Sequence, residues 1–255
     1  MTEKWKLALK EFLKDYEEDD DVVGALLCGS YATGNYNDKS DIDVHLILKD
    51  SVNYQRKGVC ESNSYLIEYF MNPVWKLKDE MKNEIKKCSN ATINMFAYGK
   101  IIYDLDGSVK ELQDEALSYI DGSFSVITSY KQDSNNYHIW NMHDELKLAL
   151  DEQRADFSKI YYKLLDDVYN CYCEYESIAK LPTTKVYKIL TDEKYRKNYH
   201  VFKLPDDEFI KLYLKCYNEA GYVSMYKNIT NLINYYYEKQ GGFNIRTFTL
   251  EEELD

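Results

Sequence analysis

The 255-residue chain is long enough to bury a core in one large domain or two small ones. Its 32 basic and 44 acidic side chains give a formal charge of -12, which repels a polyanionic backbone and disfavours long DNA or RNA as a partner. Six cysteines without a CxxC pair or a His cluster at zinc spacing exclude a zinc framework and read as reduced thiols.

The N-terminus mixes charge with apolar residues and carries no signal-peptide core, and no later stretch is apolar enough to span a membrane, so a cytoplasmic location is expected. The Asn-x-Thr sequences at Asn90 and Asn228 are then chance matches.

Trp5, Leu7, Ala8, Leu9, Phe12 and Leu13 recur near helical spacing, which predicts an amphipathic helix over Thr2 to Tyr16. Val22 to Cys28 is an almost wholly apolar run ending at Gly29, the pattern of a buried strand that turns sharply. Asp41 to Leu48 and Tyr65 to Phe70 read as further strands, with a polar hairpin or edge strand between them. Pro73 suits the first turn of a helix over Val74 to Lys87, and Lys100 to Tyr103 suits one more strand before the Asp106-Gly107 turn. From about Gln132 the apolar residues fall at helical spacing in segments that include Ile139 to Leu150, Phe157 to Ala179, Asp207 to Asn218 and Tyr222 to Glu238. The chain therefore reads as α/β (α+β), with a mixed domain over 1–125 and an all-helical domain over 126–255. The 26 tyrosines, spread along the chain, are expected to fill helix interfaces.

The chemistry concentrates between Leu26 and Leu48. An apolar strand delivers Gly29 and Ser30 to the mouth of a short helix, where a missing side chain lets the backbone approach a phosphate and the Ser hydroxyl can help hold it. Asp41 and Asp43 lie two apart, so on a strand both carboxylates leave the same face while Ile42 turns into the core. Two carboxylates beside a phosphate loop suit Mg2+, a hard cation that completes its octahedron with water and substrate phosphates. Glu68, alone in an apolar strand, offers a third carboxylate for a second metal position or for proton transfer, against the competing reading of a water-facing residue in an alternating strand. Ser40 serves either to cap local backbone or to touch phosphate.

Lys180 to Lys203 is rich in basic residues in an otherwise acidic chain. It is either a solvated helix face or a strip that closes over a triphosphate, and Lys185 and Lys188, one turn apart, are the pair to test.

Gly-Ser, a polar spacer, Asp-x-Asp on a strand and a third acidic residue on a neighbouring strand resemble the nucleotidyltransferase superfamily that includes DNA polymerase beta and the antibiotic nucleotidyltransferases. The resemblance is specific over roughly residues 20 to 105, and the later helices agree in layout with the two-domain aminoglycoside- and lincosamide-type enzymes. It implies a small mixed sheet flanked by helices, a nucleoside triphosphate donor such as ATP, two Mg2+ ions, and transfer of a nucleoside monophosphate to an acceptor hydroxyl with loss of pyrophosphate. Carried over by position, Gly29 and Ser30 hold the triphosphate, Asp41 and Asp43 ligate metal, and Glu68 is the third ligand or base, unless Asp144 or Glu145 of the helical domain supplies the base. The expected acceptor is a small hydroxylated compound, aminoglycoside-like, rather than nucleic acid or a membrane, and a homodimer stays open. Nucleotidylation of a partner protein and a silent nucleotide-binding module are the alternatives.

Overall fold

The computed structural model describes residues 4–120, 122, 124–218 and 220–251. These fall into two compact units, one drawn from Met1–Ser123 with Asp192–Phe202, the other from Phe124–Thr191 with Lys203–Asp255.

The first unit is built on a five-stranded mixed sheet. After helix α1 (Lys4–Glu17) come β1 (Val22–Leu27), the single-turn α2 (Gly29–Thr33), β2 (Ile42–Leu48), the edge strand β3 (Arg56–Ser62) and β4 (Tyr65–Pro73). Then follow α3 (Val74–Lys86), α4 (Ala91–Tyr98), β5 (Lys100–Asp104) and α5 (Ser108–Ile120). The strand order is β3-β4-β2-β1-β5, with β2 and β4 parallel and the other pairings antiparallel. Pro73, which lacks an N–H and sits at φ -68°, ends β4 and stands at the N-cap of α3 rather than inside its first turn.

Alternation along the central strands sorts side chains between two cores. Ile42, Val44, Leu46 and Leu48 of β2 join Ile67 and Met71 of β4 against Trp5, Leu9, Phe12 and Leu13 of α1. On the opposite face Leu26 and Ile47 pack with Leu77 and Met81 of α3, Ile93 and Phe96 of α4, and Val109, Leu112 and Ala116 of α5. Burying each such side chain contributes about 1.5–3 kcal/mol, so the sheet is clamped by helices on both sides. The sequence reading leaves α4 and α5 without an assignment. Of these α4 is short, at eight residues, and starts at an Asn90 N-cap whose side chain makes no capping bond. Glu84 of α3 supplies the missing acceptors instead, taking the N–H groups of Thr92 (2.8 Å) and Ile93 (3.0 Å).

The helical unit contains α6 (Ser129–Asp151), α7 (Phe157–Tyr175), α8 (Thr183–Thr191), α10 (Asp207–Lys215) and α11 (Tyr222–Lys239). Short α9 (Glu193–Asn198) belongs to the first unit although it follows α8 directly in the chain. Tyr161, Tyr169, Tyr172, Tyr213 and Tyr236 are fully buried in the helical unit. Tyr161, Tyr169 and Tyr213 hydrogen-bond through their hydroxyls. Tyr161 donates to the Cys216 carbonyl at 2.8 Å, and the Tyr169 hydroxyl accepts the Leu181 N–H at 3.1 Å. No disulfide links any of the six cysteines, and no helix among the described residues is long and apolar enough to cross a membrane.

His45 is the polar exception in the sheet. It is buried on β2, stacked on Phe70 and edge-on to Phe96, and neither ring nitrogen has a hydrogen-bond partner. Burial alone lowers its pKa from 6.5 to about 4. Between those values the unfolded chain takes up a proton that the folded chain refuses, so stability contributed above pH 6.5 is lost as pH falls toward 4, by up to about 3 kcal/mol. In the metal-free protein, His45→Phe is expected to flatten the fall of the melting temperature between pH 6.5 and 4 relative to the parent. Parallel pH profiles for the two proteins would refute that account of the buried ring.

Candidate active site

The end of β1 and the start of β2 meet through the Cys28 N–H, which donates to the Asp43 carbonyl at 2.9 Å. That bond brings Gly29 up against the Asp43 side chain. A Cβ built on Gly29 lies 1.9 Å from Asp43 Oδ2, and the residue sits at φ +60°, so both space and backbone demand glycine. α2 then turns back on itself. The N–H groups of Gly34 and Asn35 both reach the Ser30 carbonyl, the second at 3.0 Å, and Gly34 adopts the left-handed conformation that closes the turn.

The link from α2 to β2 is ordered by its own side chains. Tyr31, buried between the link and Trp5, stacks on Tyr36 with ring centroids 4.5 Å apart. The Asn35 side chain donates to the Tyr195 carbonyl at 3.3 Å and accepts from Asn198 Nδ2 at 2.9 Å, tying the loop to α9. Next to α9, His200 stacks on Tyr98 at 4.0 Å. Ser40 is engaged in a turn, its Oγ accepting the Asn37 N–H at 2.9 Å, which is the capping role.

Asp43 leaves β2 on the face opposite Ile42 and Asp41 stands just before the strand, which starts one residue later than the sequence suggests, while the parallel register sets Glu68 of β4 directly beside Asp43. Asp41 is exposed, while Asp43 and Glu68 are half-buried. One oxygen from each carboxylate lies within 4.8 Å of the others, the sole such group of three or more His, Cys, Asp or Glu among the described residues. At Mg–O bond lengths of about 2.1 Å, neighbouring ligands of an octahedral ion stand about 3.0 Å apart and opposite ones about 4.2 Å. The three oxygens, within 4.8 Å of one another, would draw inward to share one hard divalent cation, and their all-oxygen chemistry suits such an ion. Cys28 lies buried beneath the cluster, and desolvation together with the Asp43 charge pushes its thiol far up, so it stays protonated.

Lys57 of β3 sets its Nζ 2.7 Å from Glu68 Oε1. Sequence reasoning missed this contact, because it depends on the β3–β4 register. The remaining predicted residues belong to the helical unit. Lys185 and Lys188 are exposed on α8, with Val186 and Ile189 buried between and beside them. Asp144 and Glu145 lie on α6, where Glu145 accepts from Arg154 Nη1 at 2.6 Å.

Residues 8–103 match the family model described as a nucleotidyltransferase domain, the span that holds β1, α2 and all three carboxylates. No curated protein matches the chain. Among solved structures, a nucleotidyltransferase-like protein from Exiguobacterium sibiricum is similar with a TM-score of 0.49 and 9% identity, over 92% of this chain and 75% of that one.

Gly29→Ala puts a methyl where the Asp43 carboxylate stands. The variant is expected to fold, at a cost of about 1–2 kcal/mol from the left-handed backbone, and to lose about 10²-fold in turnover because the carboxylate is displaced. Circular dichroism and steady-state kinetics on the same preparation check both parts, and a folded variant with parental turnover would refute the close-approach role.

Proposed function

We infer from the match of residues 8–103 to a nucleotidyltransferase domain that the chain transfers a nucleoside monophosphate, adenylate first among them, to a hydroxyl of a small acceptor. The observation that carries this reading is the convergence of Asp41, Asp43 and Glu68 beside a glycine turn that admits no side chain.

Nucleotidyltransferases of this family work on a nucleoside triphosphate with a divalent metal. In this chain Asp41, Asp43 and Glu68 are the residues that would hold Mg2+, as one ion or two, and the ion when bound supplies positive charge to the phosphate oxygens. The Gly29 and Ser30 backbone and the Ser30 hydroxyl hold the triphosphate tail, with Gly29 letting it come close. The acceptor oxygen attacks the α-phosphorus, the bond to the bridging oxygen of the β-phosphate breaks, and pyrophosphate leaves. Glu68 either completes the ligand set or takes the proton of the attacking hydroxyl. Lys185 and Lys188 are the candidates for a further cationic contact to the tail, and Asp144 or Glu145 for a base from the helical unit. Glu145 is the weaker of the two, because Arg154 already neutralises it.

The net charge of -12 favours a cationic acceptor of aminoglycoside type, which would make the enzyme an antibiotic-inactivating one. Pyrophosphate release from each of the four nucleoside triphosphates, with Mg2+ and a panel of aminoglycosides, lincosamides and other small polyols, tests the reading. One acceptor is expected to support release, and Asp41→Asn/Asp43→Asn to reduce it by about 10³-fold or more. Release that survives the double substitution would overturn the assignment of the site. Label found on a protein rather than a small molecule would overturn the acceptor class alone.

A further inference from the structure

Lys57 and Glu68 are diagonal neighbours on one face of the β3–β4 ladder, since Lys57 pairs with Phe70 and Val59 with Glu68. The lysine Nζ lies 2.7 Å from Glu68 Oε1 and 4.7 Å from the Phe70 ring centroid, so the carboxylate fixes the ammonium from one side and the aromatic face attracts it from the other. The two partners differ in freedom. The Lys57 side chain is 63% exposed and Glu68 only 23%, so the lysine can swing into water while the carboxylate stays on the sheet. An ion pair with one partner this exposed is weak and readily exchanged.

Three carboxylates within 4.8 Å of one another repel, and the repulsion is relieved by whatever cation is at hand. We propose that Lys57 is a resident counter-ion for Glu68 that competes with the divalent ion for that carboxylate. While Lys57 holds Glu68, an arriving ion has Asp41 and Asp43 alone from the protein. A nucleoside triphosphate brings further oxygen ligands and tips the exchange, whereupon Lys57 swings out and Glu68 joins the ligand set. Lys57 is thus a positioning residue that acts through Glu68, and it makes tight metal binding conditional on nucleotide. This rests on the reading of the three carboxylates as a metal site.

Titration of the full-length, nucleotide-free protein with Mn2+, followed by the electron paramagnetic resonance of the free ion, tests it without reference to turnover. Lys57→Met is expected to tighten Mn2+ binding about three- to fivefold, the upper range for releasing a carboxylate from an ion pair with one exposed partner. Lys57→Arg, which keeps the charge, is expected to stay near the parent. Arg56→Met removes the same charge from the opposite face of the same strand, since Arg56 pairs with Met71, and is expected to change binding less than about twofold in physiological salt. In Lys57→Met/Glu68→Gln the gain should vanish. Lys57→Gln stands in should the methionine variant fold poorly. Unchanged binding in Lys57→Met, or an equal gain in Arg56→Met, would overturn the competition while leaving the metal site intact. Equal Mn2+ binding by the parent and by Asp41→Asn/Asp43→Asn would overturn the metal site itself, and the competition with it.

Discussion

The contact between the Gly29 backbone and the Asp43 carboxylate constrains everything around it. For the two to meet, β1 must end at Leu27, the chain must turn through a left-handed residue, and β2 must present Asp43 at the height of that turn. The antiparallel pairing of Leu27 with Val44 meets the last condition, and the Cys28 N–H to Asp43 carbonyl bond locks it. A register shift of one residue in β2 would turn Asp43 into the α1 core and bring Ile42 and Val44 to the face where the carboxylates now meet. The hydrophobic cost of that exchange holds the acidic pair in place, so the apolar residues of β2 are as much a part of the site as the charged ones.

Glu68 depends on a second register. In the parallel β2–β4 pair it stands beside Asp43, and its two strand neighbours on the far face, Ile67 and Tyr69, pack toward α1. Asp43 and Glu68 thus come from central strands clamped by helices on both faces, with Asp41 just before one of them, whereas Gly29 and Ser30 come from a single-turn helix anchored at its exit by Asn35. Rigid carboxylates with a separately anchored loop is the arrangement expected where the ligands for an ion must be preorganised.

What the sequence revealed follows from the range of the forces involved. Strand alternation is local, so the common face of Asp41 and Asp43 and the apolar run of β1 could be read directly from residue types. Glu68 was legible as a charge in an apolar strand, but its position beside Asp43 follows from strand order, with β4 inserted between β3 and β2. Lys57 left no signal, because a lysine on a polar edge strand is what any edge strand carries. The Asn35 clasp joins residues about 160 apart, and nothing near Asn35, Tyr195 or Asn198 in sequence points to the other side. Helix α4 escaped for a related reason: its N-terminal N–H groups are satisfied by Glu84 of the preceding helix rather than by a capping side chain of its own.

A protein of charge -12 that binds a triphosphate must overcome its own field. Long-range attraction cannot do so, because salt screens it within about 8 Å, and in this chain its sign is wrong for an anion. On the proposed reading the work falls to short-range groups: backbone N–H donors at Gly29 and Ser30 and the divalent ion itself. Three carboxylates bring three negative charges to the spot where a polyanion must sit, an arrangement that costs free energy unless cations arrive with the nucleotide. A metal–triphosphate complex meets that requirement better than either component alone, since each partner neutralises charge that would otherwise repel the other. On the proposed reading the acidic cluster would therefore make metal and nucleotide binding mutually dependent, and a field unhelpful to the free anion would discriminate against triphosphate that arrives without its metal.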